Sequence, residues 1–133
     1  MVALLAGCGA SKEDYIAKAD AICRETNAEA AKTPTPDPKD TRATAEFLRT
    51  TSKLLIAQAD RLDRPDAPEQ DEPRLRDVLR RQRDALGQLQ VAANQYQLLD
   101  ANNAQITANN ANSALLEVRQ DFEGYGFQDC AKQ

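Results

Sequence analysis

The chain lacks several residue types on which enzymes and nucleic-acid-binding proteins commonly depend. It has no histidine and no tryptophan, and its 133 residues include only three tyrosines and three phenylalanines. Histidine is the most frequent general base and metal ligand, so its absence counts against both functions. The net charge of −4 counts against nucleic-acid binding, which needs a basic surface to neutralise phosphates. At this length we expect one domain with a modest core.

Short catalytic motifs are also absent. The sequence contains no Gly-rich phosphate loop, serine nucleophile elbow, zinc-ligand spacing or CxxC pair. The carboxylate pairs Glu13/Asp14 and Asp71/Glu72 fall at predicted helix starts, where negative side chains interact favourably with the unpaired backbone N–H groups of the first turn. We therefore expect no catalytic residue, no cofactor and no metal, and a protein that is not an enzyme.

The N-terminal residues Leu5-Ala6-Gly7-Cys8 resemble a bacterial lipobox, in which a branched apolar residue and two small residues precede the cysteine that receives the lipid. We therefore expect Cys8 to be the lipid attachment residue. Because the apolar stretch before Cys8 is short and has no Lys or Arg, the signal would begin upstream or the chain would begin inside it. The alternative is a short apolar leader without lipid. No later run approaches the roughly 20 apolar residues of a membrane span.

If Cys8 carries lipid, the two remaining cysteines have only one possible pairing. An exported protein meets an oxidising environment, so we expect Cys23 and Cys130 to form a disulfide. Chain-entropy models give a bridge that closes such a long loop roughly 4 to 5 kcal/mol of stabilisation. Without lipidation three single-bridge pairings are possible, and in a cytosolic protein the thiols would stay free.

Four segments have the apolar spacing of amphipathic helices, and none alternates as a strand does. We expect helices at about residues 11–32, 38–64, 73–99 and 103–123, separated by two proline-rich connections and one Asp/Asn-rich break. Ser11, Pro38 and Asn102 are predicted helix starts, and Gly124 is a predicted stop. The inward-facing residues would be Ile16, Ala19, Cys23, Thr26 and Ala30; Ala45, Leu48, Ser52, Leu55, Ala59 and Leu62; Leu75, Leu79, Gln82, Leu86, Leu89, Ala93 and Tyr96; and Ala104, Ala108, Ala111, Leu115, Val118 and Phe122.

Short connections between these helices predict an all-α, antiparallel up-down-up-down four-helix bundle. Residues 11–133 would form this single domain, and residues 1–10 would be a partial signal and tether. The last helix would end near the start of the first, where Cys23 lies roughly 15 Å along the helix axis. Residues 125–130 are long enough to fold back over that distance, so the tail would be disulfide-linked to the first helix.

In layout, the sequence resembles a group of small actinobacterial lipoproteins and secreted helical proteins of unknown function. The resemblance rests on the lipobox-like cysteine, on residues 15–23 (YIAKADAIC) and on residues 124–130 (GYGFQDC). Residues 62–65 are similar to the usual end of the second helix in that group. The resemblance implies a membrane-anchored extracytoplasmic bundle with a disulfide between the first helix and the tail, and it implies no activity.

Two polar surfaces are candidates for contact with a partner. One is an arginine-rich strip whose acidic neighbours at i,i+4 spacing favour an ordinary ion-paired face; otherwise it would touch anionic lipid headgroups or a polyanionic envelope polymer. The other is an amide-rich region at the junction of the third and fourth helices, which suits glycan contact or a plain polar exterior. The candidate residues are Arg74, Arg76, Arg80, Arg81 and Arg83 in the first, and Tyr96, Asn102 and Asn103 in the second.

The leading hypothesis is a non-enzymatic bundle held by lipid on the outer face of the cytoplasmic membrane, or secreted if no lipid is attached. Its partner would be an envelope protein, a lipid or a glycan, and not a nucleic acid. The alternative is an exported small-ligand binding module for a lipid or glycan, with its pocket near Ala104, Ala108 and Ala111. A third hypothesis is a cytosolic helical adaptor with reduced cysteines.

Overall fold

The structure is a computed structural model that describes residues 10–133, in which the chain forms four α-helices and no β-strand. The all-α prediction is therefore confirmed. No helix in this range is long and apolar enough to cross a membrane. Cys8 lies outside the described residues, so its lipid attachment stays a prediction. The helices are α1 (Lys12–Ala30), α2 (Thr41–Leu62), α3 (Glu72–Gln97) and α4 (Ala101–Tyr125), and a 3-10 turn follows at Cys130–Lys132.

Helices α2 and α3 run antiparallel, because the end of α2 contacts the first half of α3 and the first half of α2 contacts the end of α3. Near the end of α2, Asp63 accepts a 2.6 Å hydrogen bond from Arg83 in the first half of α3. Toward the start of α2, Arg49 donates over 2.8 Å to Gln97, the last residue of α3. The second helical connection therefore reverses the chain, as predicted.

Helices α3 and α4 form a second antiparallel pair. Arg81, early in α3, donates to Asp121, late in α4. At the other end the Tyr96 hydroxyl donates to Gln105 over 3.2 Å. A two-residue turn and a cap join the helices, so this pair packs closely along its length.

Helix α1 completes the bundle by packing against α2. Its Tyr15 hydroxyl donates to the carbonyl of Leu62 over 3.4 Å, beside the C-terminal end of α2. Residues 33–36, just after α1, line a shallow hollow together with Phe47 of α2. Helix α1 therefore also runs antiparallel to α2, and the predicted four-helix bundle is confirmed.

The core has an aromatic end and an alanine-rich end. At the end where α1 begins, neighbouring ring centroids of four aromatic residues lie 5.1 to 6.2 Å apart. Toward the other end, small side chains let α3 and α4 approach closely. The aromatic residues are Tyr15, Phe122, Tyr125 and Phe127, and the buried alanines of the other end are Ala45, Ala92, Ala93, Ala104, Ala108 and Ala111.

Capping residues move the helix ends by one to three residues from their predicted positions. The predicted cap Ser11 is confirmed, since its hydroxyl accepts the Asp14 N–H over 3.1 Å. Helix α2 does not start at Pro38, because the Asp40 carboxylate accepts the Ala43 N–H over 2.9 Å and fixes the start at the next residue.

Both ends of α4 also differ from the prediction. Asp100, rather than Asn102, caps the start: its carboxylate accepts the backbone N–H and, over 2.8 Å, the side-chain amide of Asn103. Gly126, rather than Gly124, follows the last turn, with the left-handed φ of 116° that favours glycine. A carboxylate and a left-handed glycine thus determine the ends.

The tail after α4 is fastened to α1 by a disulfide and by one buried carboxylate. Cys23 and Cys130 are linked, with Cα atoms 5.0 Å apart, so the predicted bridge is confirmed. Asp20 is only 7% exposed and accepts the backbone N–H groups of Gln128, Asp129 and Cys130 over 2.9 to 3.2 Å. Hydrogen bonds to an ionised acceptor are stronger than neutral ones, so the carboxylate orients the tail for the disulfide.

Polar side chains extend this attachment. Arg24 of α1 donates to the Asp129 carboxylate over 3.0 Å and lowers its pKa. Asn27 donates to the Asp129 backbone carbonyl over 3.1 Å. Gln133 donates to Asn27 over 3.1 Å and exchanges hydrogen bonds with the buried Gln58 of α2. The tail therefore contacts both α1 and α2 and links the two helices.

Candidate functional site

An open groove of about 650 Å³ lies between α2 and the C-terminal end of α3, and we call it the α2–α3 groove. This volume lies in the range of small-molecule sites. Its lining comes from the first half of α2, the last turn of α3 and the turn that follows. The lining residues are Thr41, Arg42, Ala45, Glu46, Arg49, Thr50, Lys53, Tyr96, Gln97 and Leu99.

Positive charge dominates one wall of the groove. Arg42, Arg49 and Lys53 lie at i, i+7 and i+11, which places them on one side of α2 over roughly 16 Å of helix. Glu46 is the single carboxylate in the lining. Within residues 10–133 none of these four side chains takes part in an ion pair, and the nine preceding residues contain no Asp or Glu. The groove thus carries excess positive charge in an acidic chain.

Neutral amides orient the central cation of this wall. The Arg49 guanidinium donates to the side-chain oxygens of Asn94 over 3.2 Å and Gln97 over 2.8 Å. Amide oxygens satisfy N–H donors without cancelling the charge. Arg49 is therefore held across the groove with its full positive charge.

The accessible apolar surface of the groove comes from the turn after α3. Ala45 of α2 and Tyr96 of α3 line the inner part of the groove but are buried, with Tyr96 only 8% exposed. Leu99 forms its outer edge and is 81% exposed, and the adjacent Leu98 is 80% exposed. The groove is therefore cationic along α2 and apolar beside the end of α3.

Leu99 has a backbone conformation that leucine rarely adopts. The helix ends at Gln97, before the predicted end at residue 99, in a Schellman motif: the Asp100 N–H bonds the Gln95 carbonyl over 2.9 Å, and the Leu99 N–H bonds the Tyr96 carbonyl over 3.1 Å. Leu99 takes the left-handed position with φ 61°. For a side chain other than glycine this conformation costs roughly 1 to 2 kcal/mol.

No protein-family model, curated protein or solved structure matches this chain. The resemblance to small actinobacterial lipoproteins therefore stays a prediction.

The predicted arginine strip lies on the first half of α3, away from the groove. Within residues 10–133, four of its five arginines contact carboxylates and Arg74 does not. Arg74 lies 5.9 Å from the Tyr125 ring centroid. The hydrogen bonds from Arg80 and Arg81 lower the pKa of Asp77. The strip is thus an ion-paired face, and its pairs are Arg76–Glu72, Arg80–Asp77, Arg80–Asp84, Arg81–Asp77, Arg81–Asp121, Arg83–Asp60 and Arg83–Asp63.

The amide-rich residues lie near the opposite end of the bundle. Arg74 and Tyr96 are separated by 22 positions of α3, roughly 33 Å, so the two candidate surfaces do not meet. Asn102 and Asn103 are exposed on the first turn of α4. Tyr96 is buried, so its ring does not share an open surface with them.

The three alanines proposed to border a pocket are packed in the core. Ala104, Ala108 and Ala111 are 0, 6 and 2% exposed. They let α4 lie close to α3, and the open groove lies between α2 and α3, behind the Ala45 and Tyr96 side chains that pack with Ala104. The predicted pocket at these alanines is therefore occupied by helix packing, while ligand binding itself stays a prediction.

The groove cations escaped the sequence analysis for a physical reason. Glu46 follows Arg42 by four residues and precedes Arg49 by three, a spacing that normally indicates ordinary ion pairs on a solvated face. The only available signal was the excess of cations over carboxylates on that side of α2. The contribution of α3 and its turn depends on how the two helices align.

Proposed function

We propose that this chain is a lipid-anchored helical bundle on the outer face of the cytoplasmic membrane, with a non-enzymatic interaction or structural role in the cell envelope. The observation that carries the proposal is the Cys23–Cys130 disulfide, whose cysteines are 0 and 1% exposed. Disulfides persist in oxidising compartments and are rare in the cytosol, so this bridge supports export.

The position of α1 supports attachment by one end. Only residues 9–11 separate Cys8 from the start of α1, and four residue steps span at most about 14 Å. Lys12 lies against the aromatic end of the bundle, with its Nζ 4.4 Å from the Tyr125 ring centroid. A lipid on Cys8 would therefore hold this end near the membrane, where Lys12 and Arg74 would meet anionic headgroups.

Cell fractionation tests the anchor. We expect the full-length precursor to show globomycin-sensitive processing and the mature protein to sediment with membranes, whereas Cys8→Ala should lose both. The matched control is Cys23→Ala, which also removes one thiol but leaves the anchor residue and should stay with the membranes. Identical fractionation of Cys8→Ala and the unchanged protein would refute the lipid anchor.

Mass spectrometry of the non-reduced protein tests the compartment. A peptide joining Cys23 to Cys130 in material isolated from cells under thiol-blocking conditions would support export. Two free, alkylated thiols would instead support the cytosolic adaptor hypothesis. This measurement does not depend on lipid, so it separates failure of export from failure of the anchor.

The second candidate function is an exported small-ligand binding module. The α2–α3 groove favours it, because it combines the volume of a ligand site with one polar and one apolar wall. A ligand that binds the folded state must raise the melting temperature. A thermal-shift screen with lipids and glycans therefore tests it, and a screen without any shift would remove this candidate.

A further inference from the structure

We propose that the α2–α3 groove binds a single-chain anionic amphiphile, that is, a carboxylate or phosphate head with an alkyl tail. The cations of α2 would hold the head, and the apolar wall around Leu99 would contact the tail. This inference rests on the proposed ligand-binding function and specifies the chemistry of its ligand.

The acidic head follows from the charge of the groove. Elsewhere in the bundle, arginines that bridge helices meet carboxylates, as Arg81 meets Asp121 and Arg83 meets Asp63. In the groove, Arg49 bridges α2 and α3 through amide oxygens alone. Arg42 and Lys53 lie on the same side of α2, so three cations against the one carboxylate of Glu46 leave a net positive potential, which a concave surface strengthens. Carboxylate and phosphate oxygens are the groups that such donors bind most strongly.

The alkyl tail follows from Leu99. Its left-handed backbone is unfavourable for leucine, and at 81% exposure its side chain gains little from folding. Glycine would fit the same position without the backbone cost. Backbone strain of this kind concentrates at functional sites. An apolar ligand contact would use the leucine side chain that the fold itself leaves exposed.

A neutral glycan fits the groove less well. Sugar sites use an exposed aromatic face for stacking, and the only aromatic residue in the lining, Tyr96, is 8% exposed. A flat bilayer also fits less well. Lys53, the last lining residue on α2, lies nine residues before the end of that helix, which is roughly 13 Å from the end of the bundle where α1 starts. A single amphiphile satisfies charge, shape and position together.

Isothermal titration calorimetry of the full oxidised chain tests the inference. The probes are dodecanoate and dodecyl phosphate, each below its critical micelle concentration. Dodecyl maltoside and dodecyltrimethylammonium supply the same tail with a neutral and a cationic head. Inorganic phosphate supplies a head without a tail. We expect both anionic amphiphiles to bind and the three other probes to bind at least about tenfold more weakly, and preference between the two heads would tell a fatty acid from a phospholipid-derived ligand.

Paired substitutions locate the site. Arg49→Gln with Lys53→Gln should weaken the binding of dodecyl phosphate at least about tenfold, because it removes two cations that would donate charge-assisted hydrogen bonds to the head. The matched control, Lys18→Gln with Arg119→Gln, makes the same charge change at residues outside the groove lining and should leave affinity unchanged. Leu99→Gly should weaken the binding of the anionic amphiphiles without unfolding the chain.

The outcomes separate this inference from the broader function. Equal binding of dodecyl maltoside, or equal loss of affinity in both paired variants, would overturn the anionic site but leave a ligand-binding module. Phosphate binding as tightly as dodecyl phosphate would overturn the role of the tail. No binding of any probe, together with no shift in the glycan and lipid screen, would remove both proposals.

Discussion

Replacing Asp20 with asparagine should loosen the C-terminal tail while leaving the four helices in place. The carboxylate uses both oxygens: Oδ1 accepts from Asp129 over 2.9 Å and from Cys130 over 3.2 Å, and Oδ2 accepts from Gln128 over 3.0 Å. An asparagine keeps one acceptor and places an NH₂ donor where the second oxygen was. One backbone N–H would then face another donor, and the remaining bonds would lose the charge of their acceptor.

The expected cost follows from the bonds that change. A net hydrogen bond to a charged group contributes roughly 1.5 to 3 kcal/mol, and the exposed Gln128 recovers part of this by bonding water. We therefore expect Asp20→Asn to lower the free energy of unfolding by about 2 kcal/mol. For a domain of this size each kcal/mol corresponds to about 3 to 5 °C, so the melting temperature should fall by about 6 to 10 °C.

Thermal unfolding of the oxidised protein, followed by circular dichroism at neutral pH, measures this effect. The matched control is Asp66→Asn, which makes the same chemical change at an exposed residue whose side chain accepts no described hydrogen bond. Its melting temperature should stay within about 2 °C of the unchanged protein, as most surface substitutions do. Equal melting temperatures for the two variants would refute the role given to the Asp20 carboxylate.

Two further predictions concern a turn residue and a buried phenol. Leu99→Gly should raise the melting temperature by about 2 to 5 °C, since relief of the left-handed backbone cost exceeds the entropy cost of glycine by about 0.5 to 1 kcal/mol. The control Leu98→Gly, at a residue where φ is −84°, should lower the melting temperature. A lower melting temperature for both variants would contradict the strain at Leu99. Burial, together with the charge of Asp63, raises the pKa of Tyr15 from 10.0 to about 12. The resulting stabilisation is complete below pH 10 and is lost as the pH rises toward 12. Melting temperatures measured between pH 8 and 11 should therefore fall less steeply for Tyr15→Phe than for the unchanged protein. Equal slopes for the two proteins would count against the raised pKa of Tyr15.

Local patterns were sufficient to predict the helices, because hydrophobic periodicity is a property of neighbouring residues. Every predicted inward-facing residue of α3 is buried. The pattern was less accurate in α1, where Tyr15 is buried and Ile16 only half-buried. The aromatic cluster with Phe127 favours burial of Tyr15, and that cluster depends on a tail more than a hundred residues away.

Long-range polar contacts could not be predicted, because a sequence pattern describes only neighbouring residues. The helical pattern around Asp20 gives no sign that its carboxylate is buried, because its three N–H partners lie 108 to 110 positions later. The groove likewise needs the alignment of α2 with α3 and the left-handed turn at Leu99. Periodicity gives each helix an inner face, but it does not give the pairing of outer-face side chains between helices.

The disulfide constrains the order of events during export. Cys23 and Cys130 are 107 residues apart, so in a chain exported as it is synthesised, at about 5 to 20 residues per second, the first thiol waits roughly 5 to 20 s for its partner. During that interval α1 lacks the tertiary packing that supplies most of a helix's stability in proteins. The only other cysteine, Cys8, is already synthesised and lies 15 positions away. A lipid on Cys8 would occupy that thiol, so acylation would also protect Cys23 from the wrong partner until the right one emerges.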